Sequence, residues 1–184
     1  MMTILRFPQA AIQPPPVPVD VRIARHRTAD ALDWQQAIIA EARRYPGGSP
    51  ALIRWLRETG LLAQCSYFST DPDGGPLRFR YIGRPALDTL GEAWGRMMLG
   101  RPENEDPHDI FAAAISAQYA EAIEGGEAVY NEIAVTGIGA PFSFCHTLIG
   151  FRAGTRRAVL SAVKMHDVAG PRSHRPVETA SDAA

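Results

Sequence analysis

Two adjacent residues, Cys145 and His146, form the most reactive pairing in the chain, because a thiol near an imidazole can be activated as a nucleophile. They stand inside an apolar run, 141–151, that reads as a strand. Neighbours on a strand point to opposite faces, so the two side chains diverge. The expectation is a small buried cysteine on one face and a histidine on the other. His108 shares a helical stripe with Phe111 and Ile115, an orientation that would suit an axial ligand for haem. Beside Asp106 and Asp109, at a helix start, it reads instead as a capping or solvated residue. The five histidines, His26, His108, His146, His166 and His174, lack the i, i+4 or CxxC spacings that preorganise metal ligands. Gly83, Gly91, Gly95 and Gly100 match neither GxGxxG after a strand nor GxxxxGK[ST], so they turn the backbone and cradle no phosphate. No metal and no cofactor is expected. What remains is an aromatic and aliphatic set, Phe79, Tyr81, Phe111, Ile115, Tyr119 and Thr147, of the kind that lines a small-molecule cavity or fills a core.

Those residues need elements to position them. Pro14, Pro15, Pro16 and Pro18 favour an extended arm over a helix. From 29 to 45 the apolar positions Ala31, Trp34, Ile38, Ala42 and Tyr45 recur every three or four residues and predict an amphipathic helix. Ser49 as N-cap, Pro50 at the first helical position and Gly60 past the end frame a second, short helix. Strand patterns at 64–69 and 77–82 flank the turn Asp71-Pro72-Asp73-Gly74-Gly75-Pro76 and predict a hairpin. Short helical pieces follow at 85–90 and 93–99. Asp106 and Pro107 are expected to open a longer helix with the stripe Phe111, Ile115, Tyr119 and Ala122, stopped by Gly125-Gly126. Three strands, 128–136, 141–151 and 157–166, complete the pattern. The middle one carries Phe142, Phe144 and Leu148 on one alternating set and Cys145, Ile149 and Phe151 on the other, so both faces of its sheet need covering. The helix stripe Trp34, Ile38, Ala42 and Tyr45 is the candidate cover for the outer face, in its own subunit or as an interface with a neighbour.

A length of 184 residues suits one domain with appendages: an arm over 1–28, a domain over 29–167 and a tail over 168–184. A composition 46% hydrophobic and 21% charged suits a globular chain. The net charge of -1, with no long block of one sign, argues against a nucleic-acid partner. No stretch approaches the roughly 20 apolar residues of a membrane span, and the N-terminus lacks a secretory pattern. Two cysteines without a close-spaced partner suit a reducing, cytoplasmic setting.

The order of two strands, a cluster of short helices, one longer helix and three strands resembles that of PAS domains. The resemblance sharpens at Phe79-Arg80-Tyr81-Ile82-Gly83, at Leu90-Gly91, at Leu99-Gly100-Arg101 and over Tyr119 to Tyr130, reading YAEAIEGGEAVY. The upstream LDWQQAIIAEARR and SPALIRWL are similar to the leader helices of a PAS-like family of small single-domain, largely alphaproteobacterial proteins. The likeness covers about 31–167. It implies an α+β fold, PAS-like, with a five-stranded antiparallel sheet, helices on one face and an N-terminal leader helix. It also implies a sensory or regulatory module acting through a protein partner, including another copy of itself, with or without a small ligand, and no reaction of its own. A flavin photosensor of that superfamily carries its reactive cysteine on the short helices, and 86–98 has none. Two alternatives stand beside this reading. One is a haem-binding PAS sensor. The other is a cone-shaped α+β enzyme or carrier, which would pair His146 with Asp109 or Glu132.

Overall fold

The computed structural model describes residues 18–45 and 47–166. The run Pro14, Pro15 and Pro16 and the tail 168–184 lie outside the described residues. The fold is α+β. Its strands are β1 (Asp20–His26), β2 (Cys65–Asp71), β3 (Gly74–Tyr81), β4 (Val129–Thr136), β5 (Phe142–Ala153) and β6 (Arg156–His166). Its helices are α1 (Asp33–Ala42), α2 (Pro50–Glu58), α3 (Arg84–Leu90), α4 (Glu92–Met98) and α5 (Asp109–Gly125).

All six strands form one antiparallel sheet in the order β1-β4-β5-β6-β2-β3. The five-stranded expectation is therefore corrected to six. The added strand, β1, lies within the stretch read as an arm, and it pairs from Asp20↔Thr136 to His26↔Tyr130 on β4. As an edge strand it is held by backbone pairing, and its apolar content is thin: Val21 packs on the core, whereas Ile23 is 42% exposed. The local signals that did mark elements act as written. Ser49 Oγ accepts from Ala51 N–H at the start of α2, and Gly60 takes φ +75° beyond its end. Asp106 does not cap α5, which starts at Asp109 with His108 in the capping position.

The sheet separates two cores. Phe144, Leu148, Ile133 and Val159 face α3, α4 and α5, where they pack with Ile115, Tyr119, Ala122, Trp94 and Met98. On the opposite face Ile149, Phe151, Leu160 and Ala162 pack with Ile38, Ile39 and Ala42 of α1 and with Leu52 and Leu56 of α2. Of the expected stripe, Ile38 and Ala42 are fully buried, while Trp34 and Tyr45 are half-buried against the same cluster. Gln35, with no exposed surface, also belongs to this contact. Its Nε2 donates to the Ala162 carbonyl at 2.9 Å and its Oε1 accepts from Leu32 N–H, so one amide ties α1 to the middle of β6. Among the described residues no helix is long and apolar enough to cross a membrane.

Candidate functional site: an aromatic cavity with a buried polar relay

Between the inner face of the sheet and α3, α4 and α5 lies a cavity of about 90 Å³. That is room for several waters or one small ring. Its aromatic wall is continuous. Phe68 lies 4.7 Å, centroid to centroid, from both Phe79 and Tyr119, and Phe79 meets Trp94 edge-on at 5.6 Å. On the far side Phe142 stacks on Phe144, and Phe144 meets the His146 ring edge-on at 5.6 Å. Such offset and edge contacts hold the rings in place without filling the space between them.

Of the six residues expected to line a cavity, Phe79, Phe111, Ile115 and Tyr119 do so. Tyr81 and Thr147 do not. Thr147 shares its parity with Cys145 and Ile149, so it points to the outer face, where its buried Oγ1 has no partner among the described residues. Tyr81 is half-buried near the end of β3, beyond a register shift between Tyr67 and Phe68 on β2. That irregularity breaks the simple alternation which placed it beside Phe79.

The polar side of the cavity is formed by Glu103, Asp106, Tyr119, Ser161 and His146. Burial pushes the Tyr119 phenol far up, which keeps it protonated, and neighbouring Ser161 opposes the shift only in part. Asp106, 7% exposed, accepts from Trp94 Nε1 at 3.2 Å and from His108 N–H at 2.9 Å, while His108 Nδ1 lies 2.8 Å from the same carboxylate. The role of His108 is thus to hold Asp106, and the ring does not line the cavity. Glu103 bonds with the Ser116 hydroxyl. Burial raises its carboxyl above the usual range, and the neighbouring Asp106 charge adds to the shift.

His146 is 1% exposed and is oriented by a chain of hydrogen bonds that begins at the surface. Glu121 on α5 holds Arg25 of β1 through both guanidinium NH groups, at 2.7 and 2.6 Å. Arg25 Nε donates to Asn131 Oδ1 at 2.5 Å, which turns Asn131 Nδ2 inward to donate to Gln118 Oε1. The orientation of Gln118 is fixed independently, because its Nε2 donates to the Ala114 carbonyl at 3.0 Å. Its Oε1, able only to accept, lies 3.0 Å from His146 Nε2. Asn131 Nδ2 also approaches Nε2 but lies farther off, at 3.4 Å, so the closer Gln118 contact places the ring proton on Nε2 and leaves Nδ1 as an acceptor. Burial, reinforced by the nearby Arg25 cation, holds the imidazole pKa at about 3, so the ring is neutral at ordinary pH.

No family model matches the chain, and no curated protein matches it significantly. What the site can do follows from its own geometry. That geometry does not assemble the pairings His146 would need for acid–base work with Asp109 or Glu132. Asp109 is exposed and bonds to Ile110 N–H, and Glu132 stands on the outer face near His26 and His166. Among the described residues no group of three metal-ligating side chains converges. Gln118 and Asn131, which orient His146, went unnoticed in the sequence. Their signal was a polar side chain at an apolar position: Gln118 lies three residues after Ile115 on the α5 stripe, and Asn131 lies between Val129 and Ile133 on β4.

Cys145 and His146 do diverge, and Cys145 packs with Ala31 and Tyr130 on the outer face. Cys65 is equally buried, and burial alone pushes its thiol to about 12. Neither thiol is expected to react with Ellman's reagent in the native protein over minutes, whereas both react in denaturant. Cys145→Ser is expected to cost about 1–2 kcal/mol in a urea titration, since it replaces a buried thiol, 4.0 Å from Gln35 Oε1, by a smaller and more polar hydroxyl. Rapid native labelling of either thiol would contradict this packing role.

Proposed function

We propose that this chain is a PAS-type sensory module whose cavity takes a small aromatic molecule bearing one hydrogen-bond donor, and whose output passes to a partner protein. The succession of hairpin, short helices, long helix and three strands supports the PAS reading, as do the motifs around Gly83 and Gly100. The observation that carries the ligand reading is the unfilled aromatic cavity beside His146, whose Nδ1 is held as an acceptor by the Gln118 contact to Nε2. A neutral acceptor beside an aromatic wall favours a ring that carries a neutral donor, such as a phenol, over a bare hydrocarbon. The route outward is short. Ser161 lines the cavity, and the carbonyl of the next residue, Ala162, holds Gln35 on α1. A ligand that shifts β6 is therefore felt by α1, whose outer side is open to a partner.

Thermal unfolding with added phenol and toluene tests the reading. At ten times its Kd a native-state ligand adds about 1.4 kcal/mol, or about 3–6 °C for a chain of this size. Phenol is expected to give the larger shift, and Ala112→Phe, which fills the cavity from α5, is expected to abolish both. The reading fails if neither compound moves the transition, or if Ala112→Phe leaves the shifts intact.

A further inference from the structure

The outer side of the sheet carries a second concavity, a groove of about 750 Å³ between α2 and the ends of β2, β5 and β6. From this groove we infer a separate binding site for a multiply phosphorylated molecule of nucleotide size, independent of the aromatic cavity. Four arginines line it: Arg54 and Arg57, one helical turn apart on α2, and Arg156 and Arg157 at the start of β6, the last of which also donates from its guanidinium to the Gly75 carbonyl at 2.8 Å. Among the described residues no carboxylate lines it. Among the described residues none of the four makes an ion pair, although Arg22, Arg25, Arg27, Arg44, Arg78, Arg80, Arg84 and Arg152 all do. Asp71, which lies between the lining residues Thr70 and Pro72, is already engaged by Arg78 and Arg80.

In a chain of net charge -1, four like charges brought to one groove from two elements repel one another until an anion enters. Guanidinium forks match phosphate oxygens two at a time, so four of them suit several adjacent phosphates rather than one carboxylate. The volume falls within the roughly 300–1,000 Å³ of small-molecule sites, well above what an inorganic ion requires. The half-buried ring of Tyr67 adds an aromatic surface for the remainder of the ligand.

Calorimetric titration of the full chain with ATP and with inorganic tripolyphosphate at low salt tests the assignment. ATP is expected to bind several-fold more tightly than tripolyphosphate, and both affinities are expected to fall as salt rises. Arg54→Gln with Arg156→Gln is expected to weaken ATP about tenfold or more while leaving the melting curve unchanged, since both side chains are exposed. Arg57→Gln alone serves if the double variant melts early. Absence of ATP binding at millimolar concentration, or equal affinity in the variants, overturns the site. Equal affinity for ATP and tripolyphosphate overturns the nucleotide assignment. Arginine-dependent sedimentation with phosphatidylglycerol vesicles in place of ATP binding assigns the groove to a lipid surface and overturns a soluble ligand.

Discussion

Gly150→Ala is expected to lower stability by about 3 kcal/mol or more, because it forces overpacking where nothing flexible can yield. Gly150 lies in the middle of β5, directly beneath α5. A Cβ built there falls 2.2 Å from the Ala122 carbonyl oxygen, 2.4 Å from its carbon and 2.5 Å from Ile123 Cα. All three are backbone atoms, so the side chain can be accommodated only by lifting the helix off the sheet. Ala122 has no exposed surface, and the same helix supplies Ile115 and Tyr119 to the cavity and Gln118 to His146. The substitution is therefore expected to disturb the relay as well as to lower the transition by about 6–12 °C. Gly125→Ala is the control. No atom lies within 4 Å of its Cβ, and alanine in a helix costs less chain entropy than glycine, so its effect is expected to be neutral or mildly stabilising. Urea titration of the two variants checks the pair, and equal midpoints would show that α5 rides more loosely on β5 than this contact requires.

The role of Gly150 illustrates which parts of the fold could be read from the sequence. Features set by neighbours in the chain were legible. The Ser49 cap, the Pro50 start and the Gly60 stop fixed α2, the Pro72-Asp73 turn followed by Gly74 fixed the β2–β3 hairpin, and the alternation along β5 assigned Phe144 and Leu148 to one core and Ile149 and Phe151 to the other. Features set by distant partners were not. A glycine in an apolar strand signals close backbone approach without naming the helix that approaches. β1 is a strand because β4 offers it an edge, and its own residues carry little apolar signal. Asp106 has the residue type of an N-cap, yet Trp94 and His108 draw its carboxylate inward and the helix starts later. Within the site, the aromatic residues stood out by type, but the emptiness between them depends on how α3, α4 and α5 meet the sheet. The orientation of His146 depends on four side chains, Glu121, Arg25, Asn131 and Gln118, drawn from three elements.

The same relay predicts acid lability. The His146 pKa is about 3 in the folded protein and near 6.5 in the unfolded chain. Between those values the unfolded chain binds a proton that the native state refuses, so the stability contributed by a neutral His146 is complete above about pH 6.5 and is lost as pH falls toward 3. The slope is about 1.4 kcal/mol per pH unit, or about 2 kcal/mol between pH 6.5 and 5. Among the described residues, burial and the Arg25 charge are what act on the ring, and both oppose protonation. Arg25 is a cation and opposes protonation, Glu121 is committed to Arg25, and Gln118 and Asn131 are neutral. Glu103 works in the opposite direction. Its raised carboxyl regains stability as pH falls toward the ordinary glutamate value, but it does so whether or not residue 146 can titrate. The comparison with His146→Gln therefore isolates the imidazole. Glutamine can keep a donor facing Gln118 Oε1 and has no proton to gain, so the variant is expected to be less stable than the parent at pH 7.5 and to lose less on acidification. Urea midpoints at pH 7.5, 6.5, 5.5 and 5 should converge for the two proteins as pH falls. Parallel curves would mean that His146 accepts its proton without leaving the relay, and the buried neutral ring would then be the wrong description of this site.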